Sequence, residues 1–200
     1  MTILYACSSN KGKLAEFSLA AEQAGLSQFE ILPLPGLKRI EPPEETGAAF
    51  EENAVLKALY YARFSQELVF ADDSGLEVEA LGGAPGVVSA RFAGPDASDQ
   101  QNNALLLKEM AAEGPPRNAR FVTVIALAKA GKLLTVAHGV VAGSILREER
   151  GTCGFGYDPL FFYPPLNRSF GELSDPEKFA VSARGNASRN LLHWLAAREF

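Results

Sequence analysis

The chain has 200 residues and a formal net charge of -5, with 47% hydrophobic and 22% charged residues. That length supports one domain with a full hydrophobic core, split into two lobes by a cleft at most, and the composition is that of an ordinary soluble globular protein. The acidic balance argues against a broad footprint for duplex nucleic acid, which needs a basic face, and leaves room for a small polyanion held by a few local cations.

Residues 2–7 are a short apolar run with β-formers and read as a strand. Ser8-Ser9-Asn10 then supplies helix-capping chemistry, and Leu14, Phe17, Leu19 and residues 21–24 follow in a helix that stops at Gly25. Residues 29–32 read as a second strand. Thr46 is expected to cap a helix running to Phe64, with Phe50, Ala54, Tyr61 and Phe64 on one face. Residues 68–71 read as a buried strand ending at Asp72-Asp73-Ser74-Gly75, and residues 98–112 as a helix. Residues 119–128 and 132–142 alternate as a hairpin turning at Ala130-Gly131. Residues 182–198 form a closing helix with Ala187, Leu191, Leu192 and Leu195 inward. Proline pairs at Pro42-Pro43, Pro115-Pro116 and Pro164-Pro165 mark loops, none long enough for a linker, so residues 1–200 are read as one domain. Early alternation of strand and helix followed by a hairpin predicts an α/β protein with a mixed sheet and leaves the strand order open.

No apolar run reaches membrane-spanning length. The first residues, MTILYACSSNKGK, carry no charged segment ahead of their apolar run, so a cytoplasmic location and no membrane partner are expected. Cys7 and Cys153 match no zinc spacing and read as buried free thiols in a reducing compartment.

Five clusters and one lone lysine carry chemistry. Ser8-Ser9-Asn10-Lys11-Gly12-Lys13 sits where a strand enters a helix, and helix N-terminal N–H groups favour anions. It lacks Walker A spacing, and an ordinary capped helix with surface lysines accounts for the same residues. Asp72-Asp73-Ser74-Gly75 places two carboxylates pointing different ways at a strand end, where ligands of α/β proteins bind; a simple turn is the competing explanation. Glu41, Glu44 and Glu45 precede a helix, either as solvated carboxylates favoured by its dipole or with one glutamate joining Asp73 on a hard cation. Lys57 lies on the stripe of Phe50, Ala54 and Tyr61, four residues after Asn53; it either snorkels to water or reaches an anionic ligand. Gly154-Phe155-Gly156-Tyr157-Asp158-Pro159 offers aromatics for a base and an acid for its hydrogen bonds, although a structural turn explains its glycines and proline equally well. Lys178 with Ser182-Ala183-Arg184-Gly185 adds cations for phosphate or a base oxygen, against a capped helix as the plain alternative. His138 and His193 stand apart from any nucleophile, which disfavours nucleophilic catalysis.

The segments SSNKGKLAEF, EETGAAFEENAVLKA, FADDSGLEVEALGGAPGVVSARFAG, GTCGFGYDPLFF and EKFAVSARGNA, in this order, resemble the inosine triphosphate pyrophosphatase (Ham1-like) family over nearly the whole chain. The resemblance implies a long mixed β-sheet with helices on both faces, two lobes flanking a central cleft, and a homodimer. It implies Mg²⁺-dependent cleavage of the α–β phosphoanhydride of ITP, dITP or XTP, giving the monophosphate and pyrophosphate. It assigns Ser8, Ser9, Asn10, Lys11, Gly12 and Lys13 to the triphosphate, and Asp73 to proton acceptance and the metal together with Glu45 or Glu44. Ser74 contacts substrate and Lys57 a phosphate. Phe155, Gly156, Tyr157 and Asp158 hold base and sugar, and Lys178 and Arg184 complete the base pocket. The family reads Ser-His-Arg-Gly where this chain has Ser182-Ala183-Arg184-Gly185. Because that histidine belongs to the base pocket, Ala183 is expected to change selectivity or affinity and to leave hydrolysis intact. The rival readings are a Maf-like pyrophosphatase for other modified nucleotides and a nucleotide-binding module without turnover.

Overall fold

Among the described residues seven strands form one mixed sheet: β1 (Thr2–Ala6), β2 (Phe29–Pro33), β3 (Leu68–Val78), β4 (Asn118–Lys129), β5 (Lys132–Ile145), β6 (Phe161–Tyr163) and β7 (Arg168–Ser169), in the order β2-β1-β3-β4-β5-β6-β7. Both β2 and β3 run parallel to β1, whereas β6 is antiparallel to β5 and to β7. Strands β4 and β5 turn at Ala130-Gly131, both with positive φ (47° and 74°), which is the twist a two-residue hairpin requires. The main helices are α1 (Lys11–Gln23), α2 (Phe50–Tyr61), α3 (Asp99–Glu109), α4 (Asp175–Val181) and α5 (Ala183–Ala196). This computed structural model describes residues 2–8, 11–23 and 28–198. The α/β class with a mixed sheet is the one expected. Ser9, Asn10 and Gly25 lie outside the described residues, as does the side chain of Lys11.

The chain divides into two compact units: Met1–Asp73, Thr123–Gly139 and Ala183–Phe200 make the first, and Ser74–Val122 and Val140–Ser182 the second. In the first, the apolar start of β3 (Leu68, Val69, Phe70, Ala71) is fully buried, and Phe17 of α1 meets Phe70 edge-on at 4.5 Å between ring centroids. Helix α5 packs on α1 and buries Ala187, Leu191, Leu192 and Leu195. In the second, Phe121, Phe161 and Phe170 form an aromatic cluster with Phe161 4.6 Å and 4.9 Å from its neighbours. Buried Arg117 donates to the carbonyls of Met110, Glu113, Ile145 and Leu146, so its charge is spread over four backbone acceptors that join α3's exit to the end of β5.

Several sequence expectations need correction. Asp72-Asp73-Ser74-Gly75 is not a turn: β3 runs straight through to Val78, because each aspartate meets a lysine and the Leu76 amide donates to the Ser89 hydroxyl (2.9 Å). Tertiary partners here override the turn preference of these residues. Helix α2 starts at Phe50 and is not capped by Thr46; instead Glu52 and Asn53 reach back to accept from the amides of Ala48 (2.7 Å) and Gly47 (2.8 Å). It ends at Tyr61 in a 3₁₀ turn, which swings Phe64 off the buried stripe to 50% exposure. Residues 98–112 contain a shorter helix, α3, with Ser98 as N-cap in a capping box with Gln101. The expected closing helix over residues 182–198 is α5, with Ser182 ending the additional helix α4. The thiols are free; Cys153 is exposed, contrary to the burial expected of it, and Cys7 is partly buried.

Candidate active site

The first unit holds an acid–cation array at the middle of β3. Successive strand side chains point to opposite faces, so Asp72 and Asp73 serve separate networks. Asp72, 5% exposed at its side chain, accepts from Lys13 Nζ of α1 (2.7 Å) and lies 3.6 Å from Arg184 Nε of α5. Arg184 also binds Glu16 of α1 through Nη1 (2.7 Å). Asp73 accepts from Lys57 Nζ at 2.9 Å, and the same ammonium binds Glu45 Oε1 at 2.9 Å. Buried Asn53 sits one turn before Lys57 on α2 and donates to Asp73 Oδ2 (3.3 Å), while its Oδ1 holds the Gly47 amide. A Cβ on Gly47 would lie 2.6 Å from that oxygen, so glycine is needed for this close approach.

These contacts drive the two aspartates apart in acidity. Burial pushes Asp72 up, but the Lys13 ammonium and the Arg184 guanidinium outweigh it and hold the carboxyl well below the usual range. For Asp73 burial wins over the Lys57 ammonium, with Glu45 adding to it, and the carboxyl is raised. Burial alone would lower Lys57; Asp73 and Glu45 reverse that and keep it a firm ammonium. Burial raises Cys7, at the end of β1, far above the usual thiol range, which removes it as a nucleophile.

The second unit holds an aromatic and ion-pair cluster on the loop before β6. Asp158 forms a buried ion pair with Lys178 of α4, and its Oδ2 also accepts from the Phe155 amide (2.8 Å). Phe155 is 48% exposed, and Lys178 Nζ lies 4.1 Å from its ring centroid. A Cβ on Gly154 would collide with the Asp158 carboxylate, and Gly154 has φ 76°, so glycine serves the loop's path twice. Tyr157 is buried and donates to the Ser89 carbonyl (2.8 Å). It therefore supports the loop from beneath, leaving Phe155 as its exposed ring.

The structure thus brings Glu45, Lys57 and Asp73 together, Lys13, Asp72 and Arg184 together, and Phe155, Asp158 and Lys178 together. Ser74 is half-buried on β3, Ala183 is buried at the start of α5, Glu44 is exposed, and Ser8 is half-buried before α1. Sequence reasoning missed Asn53 and Glu16 as partners of the site. The i, i+4 spacing of Asn53 and Lys57 was a usable signal for the first; nothing local signals the second. Among the described residues no three metal-binding side chains cluster. Two carboxylates, Glu45 and Asp73, flank one ammonium, and such a hard oxygen pair suits an ion that shares its coordination with phosphates and water, as Mg²⁺ does. No helix among the described residues is long and apolar enough to cross a membrane.

An α/β sheet carrying paired carboxylates and lysines on β3 and its flanking helices defines an α/β protein equipped to handle phosphate anions. The chain belongs to the Ham1 family, whose model matches residues 4–194. It is 49% identical to the dITP/XTP pyrophosphatase of Acidobacterium capsulatum, covering 94% of this chain and 96% of that one. It is 45% identical to the dITP/XTP pyrophosphatase of Desulforamulus reducens, covering 96% and 94%. Its fold is similar to a HAM1 protein from Coxiella burnetii (TM-score 0.89, 38% identity, 99% of this chain and 100% of that one). The Ham1 protein of Staphylococcus aureus is similar too (TM-score 0.88, 36% identity, 99% and 100%).

Proposed function

We propose that this protein hydrolyses non-standard purine nucleoside triphosphates (ITP, dITP, XTP) to the monophosphate and pyrophosphate, clearing them from the nucleotide pool. The observation that carries the reading is Asp73, a nearly buried carboxylate with raised proton affinity, oriented by Lys57 and Asn53. A carboxylate held in this way, with burial favouring its protonated form, can take a proton from water. A water oxygen attacks the α-phosphorus, its proton passes to Asp73, and the bond from that phosphorus to the bridging oxygen breaks as pyrophosphate leaves. Lys13 and Lys57, with the N-terminus of α1 and Ser8, Ser9 and Asn10 ahead of it in the chain, neutralise the phosphate oxygens. Glu45 and Asp73 would hold Mg²⁺, which when bound screens the phosphate charge and polarises the reacting phosphorus. The names of the relatives support the substrate class.

For the base, Phe155 offers a stacking face and Lys178 a donor for the oxygen at position six. Adenine presents an amino group there, and a donor facing a donor leaves buried groups unpaired, which discriminates strongly. We further propose that the protein acts in the cytoplasm as a homodimer. The test is pyrophosphate release from ITP with Mg²⁺ by the wild type and Asp73→Asn. The variant should fold normally and lose about 10²–10⁴-fold in turnover; near-normal turnover would contradict the assignment of the base.

A further inference from the structure

Helix α3 has no part in the site so far, yet it grips the base loop from outside. The Gly156 amide donates to Asp99 Oδ2 (2.7 Å), and Asn103 Nδ2 donates to the Gly156 carbonyl (3.2 Å). Asp99 and Asn103 are four apart, hence one above the other on a single helical face. Between them they hold both polar groups of one peptide residue, which has φ 61°. The neighbours of that residue are Phe155, the exposed ring, and Tyr157, fixed beneath through Ser89. The second donor contact of Asn103, to Glu149 (3.0 Å), anchors its amide further. Asn103 is 3% exposed, and its Oδ1 is buried with no hydrogen-bond partner among the described residues. Such an orphaned acceptor is unfavourable, so what recommends asparagine at this place is the pair of bonds from Nδ2.

We infer that Asp99 and Asn103 are positioning residues for base recognition: by clamping Gly156 they set the plane of the Phe155 ring against Lys178. This rests on the assignment of the 154–158 loop to the base. The hydrogen bonds described above for Asp99 and Asn103 run within the second unit, to Gly156 and Glu149, so their removal is expected to act on binding of the base and not on the chemical step. Asp99 is exposed, and Ser98 with Gln101 already closes the start of α3, so Asp99→Ala is compatible with folding.

The experiment measures kcat and KM for ITP and XTP, and the inhibition constant of inorganic tripolyphosphate, which has the phosphates and no base. In Asp99→Ala, KM should rise about tenfold, with kcat and the tripolyphosphate constant within about twofold of wild type, the loss expected of an interaction made equally in ground and transition states. Asp99→Asn, which keeps an acceptor for the Gly156 amide, should restore most of the affinity. Asn103→Leu, of similar volume, should show the same split. An unchanged KM in Asp99→Ala alongside an active wild type would overturn the inference alone. A parallel loss of kcat, KM, tripolyphosphate binding and Tm would also overturn it, because that pattern marks general loss of structure. A wild type that turns over neither triphosphate would overturn the assigned function and this inference with it.

Discussion

Replacing Asp72 by asparagine separates the structural carboxylate from its catalytic neighbour. The Asp72 side chain is 5% exposed and faces Lys13 at 2.7 Å and Arg184 at 3.6 Å. Breaking a buried ion pair from one side costs about 3–5 kcal/mol. Lys13 is 24% exposed and can turn partly to water, and Arg184 keeps Glu16, so the lower end applies. A loss of about 3 kcal/mol in a chain of this size lowers Tm by roughly 6–12 °C. The pH dependence has a definite sign. The folded carboxyl is more acidic than the unfolded one, so its stabilisation is complete above the unfolded value and lost as pH falls through that value toward the folded one. The gap in Tm between wild type and Asp72→Asn should therefore be full at pH 7.5 and close progressively below about pH 4. Thermal unfolding by circular dichroism across that range checks it. A variant within about 2 °C of wild type at pH 7.5, or a gap that persists undiminished to pH 3, would refute the electrostatic account of Asp72.

Asn53→Leu removes the donor to Asp73 and leaves the Gly47 amide without its acceptor. Turnover of ITP should fall about 10–100-fold, as for loss of a partner that orients an active group, measured as kcat in the pyrophosphate-release assay. Lys178→Met leaves buried Asp158 with the Phe155 amide as its remaining partner among the contacts described above. KM for ITP should rise while inhibition by tripolyphosphate stays the same, and urea unfolding should show a loss of about 3–5 kcal/mol. Arg117→Met strips four backbone carbonyls of one shared donor. It should destabilise the protein by about 2–4 kcal/mol in the same urea experiment, with KM for ITP unchanged in the folded fraction.

What the sequence made legible followed from local periodicity. The stripe on α2 placed Lys57 correctly with Phe50, Ala54 and Tyr61, and adjacent aspartates on extended backbone had to point apart. The hairpin of β4 and β5 was announced by alternation and by Gly131. What stayed hidden depends on partners far along the chain. Strand β3 continues through four turn-forming residues because Lys13 and Lys57 meet the aspartates and Ser89 meets Leu76, none of them nearby in sequence. Glu16 and Arg184 are 168 positions apart, and Asp99 and Gly156 are 57 apart. Helix α4 has seven residues, too few to show a helical period. Ala183 shows the limit from the other side. The resemblance marked it as a departure, and the structure finds it buried at the first position of α5.

The measurement that bears most directly on the assigned function is kcat/KM for ITP, dITP, XTP, GTP and ATP with Mg²⁺, with the monophosphate and pyrophosphate both quantified. Monophosphate and pyrophosphate should form in equimolar amounts, with ITP, dITP and XTP at least about 10²-fold above ATP and also above GTP. Orthophosphate release in place of pyrophosphate, or ATP turned over as well as ITP, would contradict the assigned function.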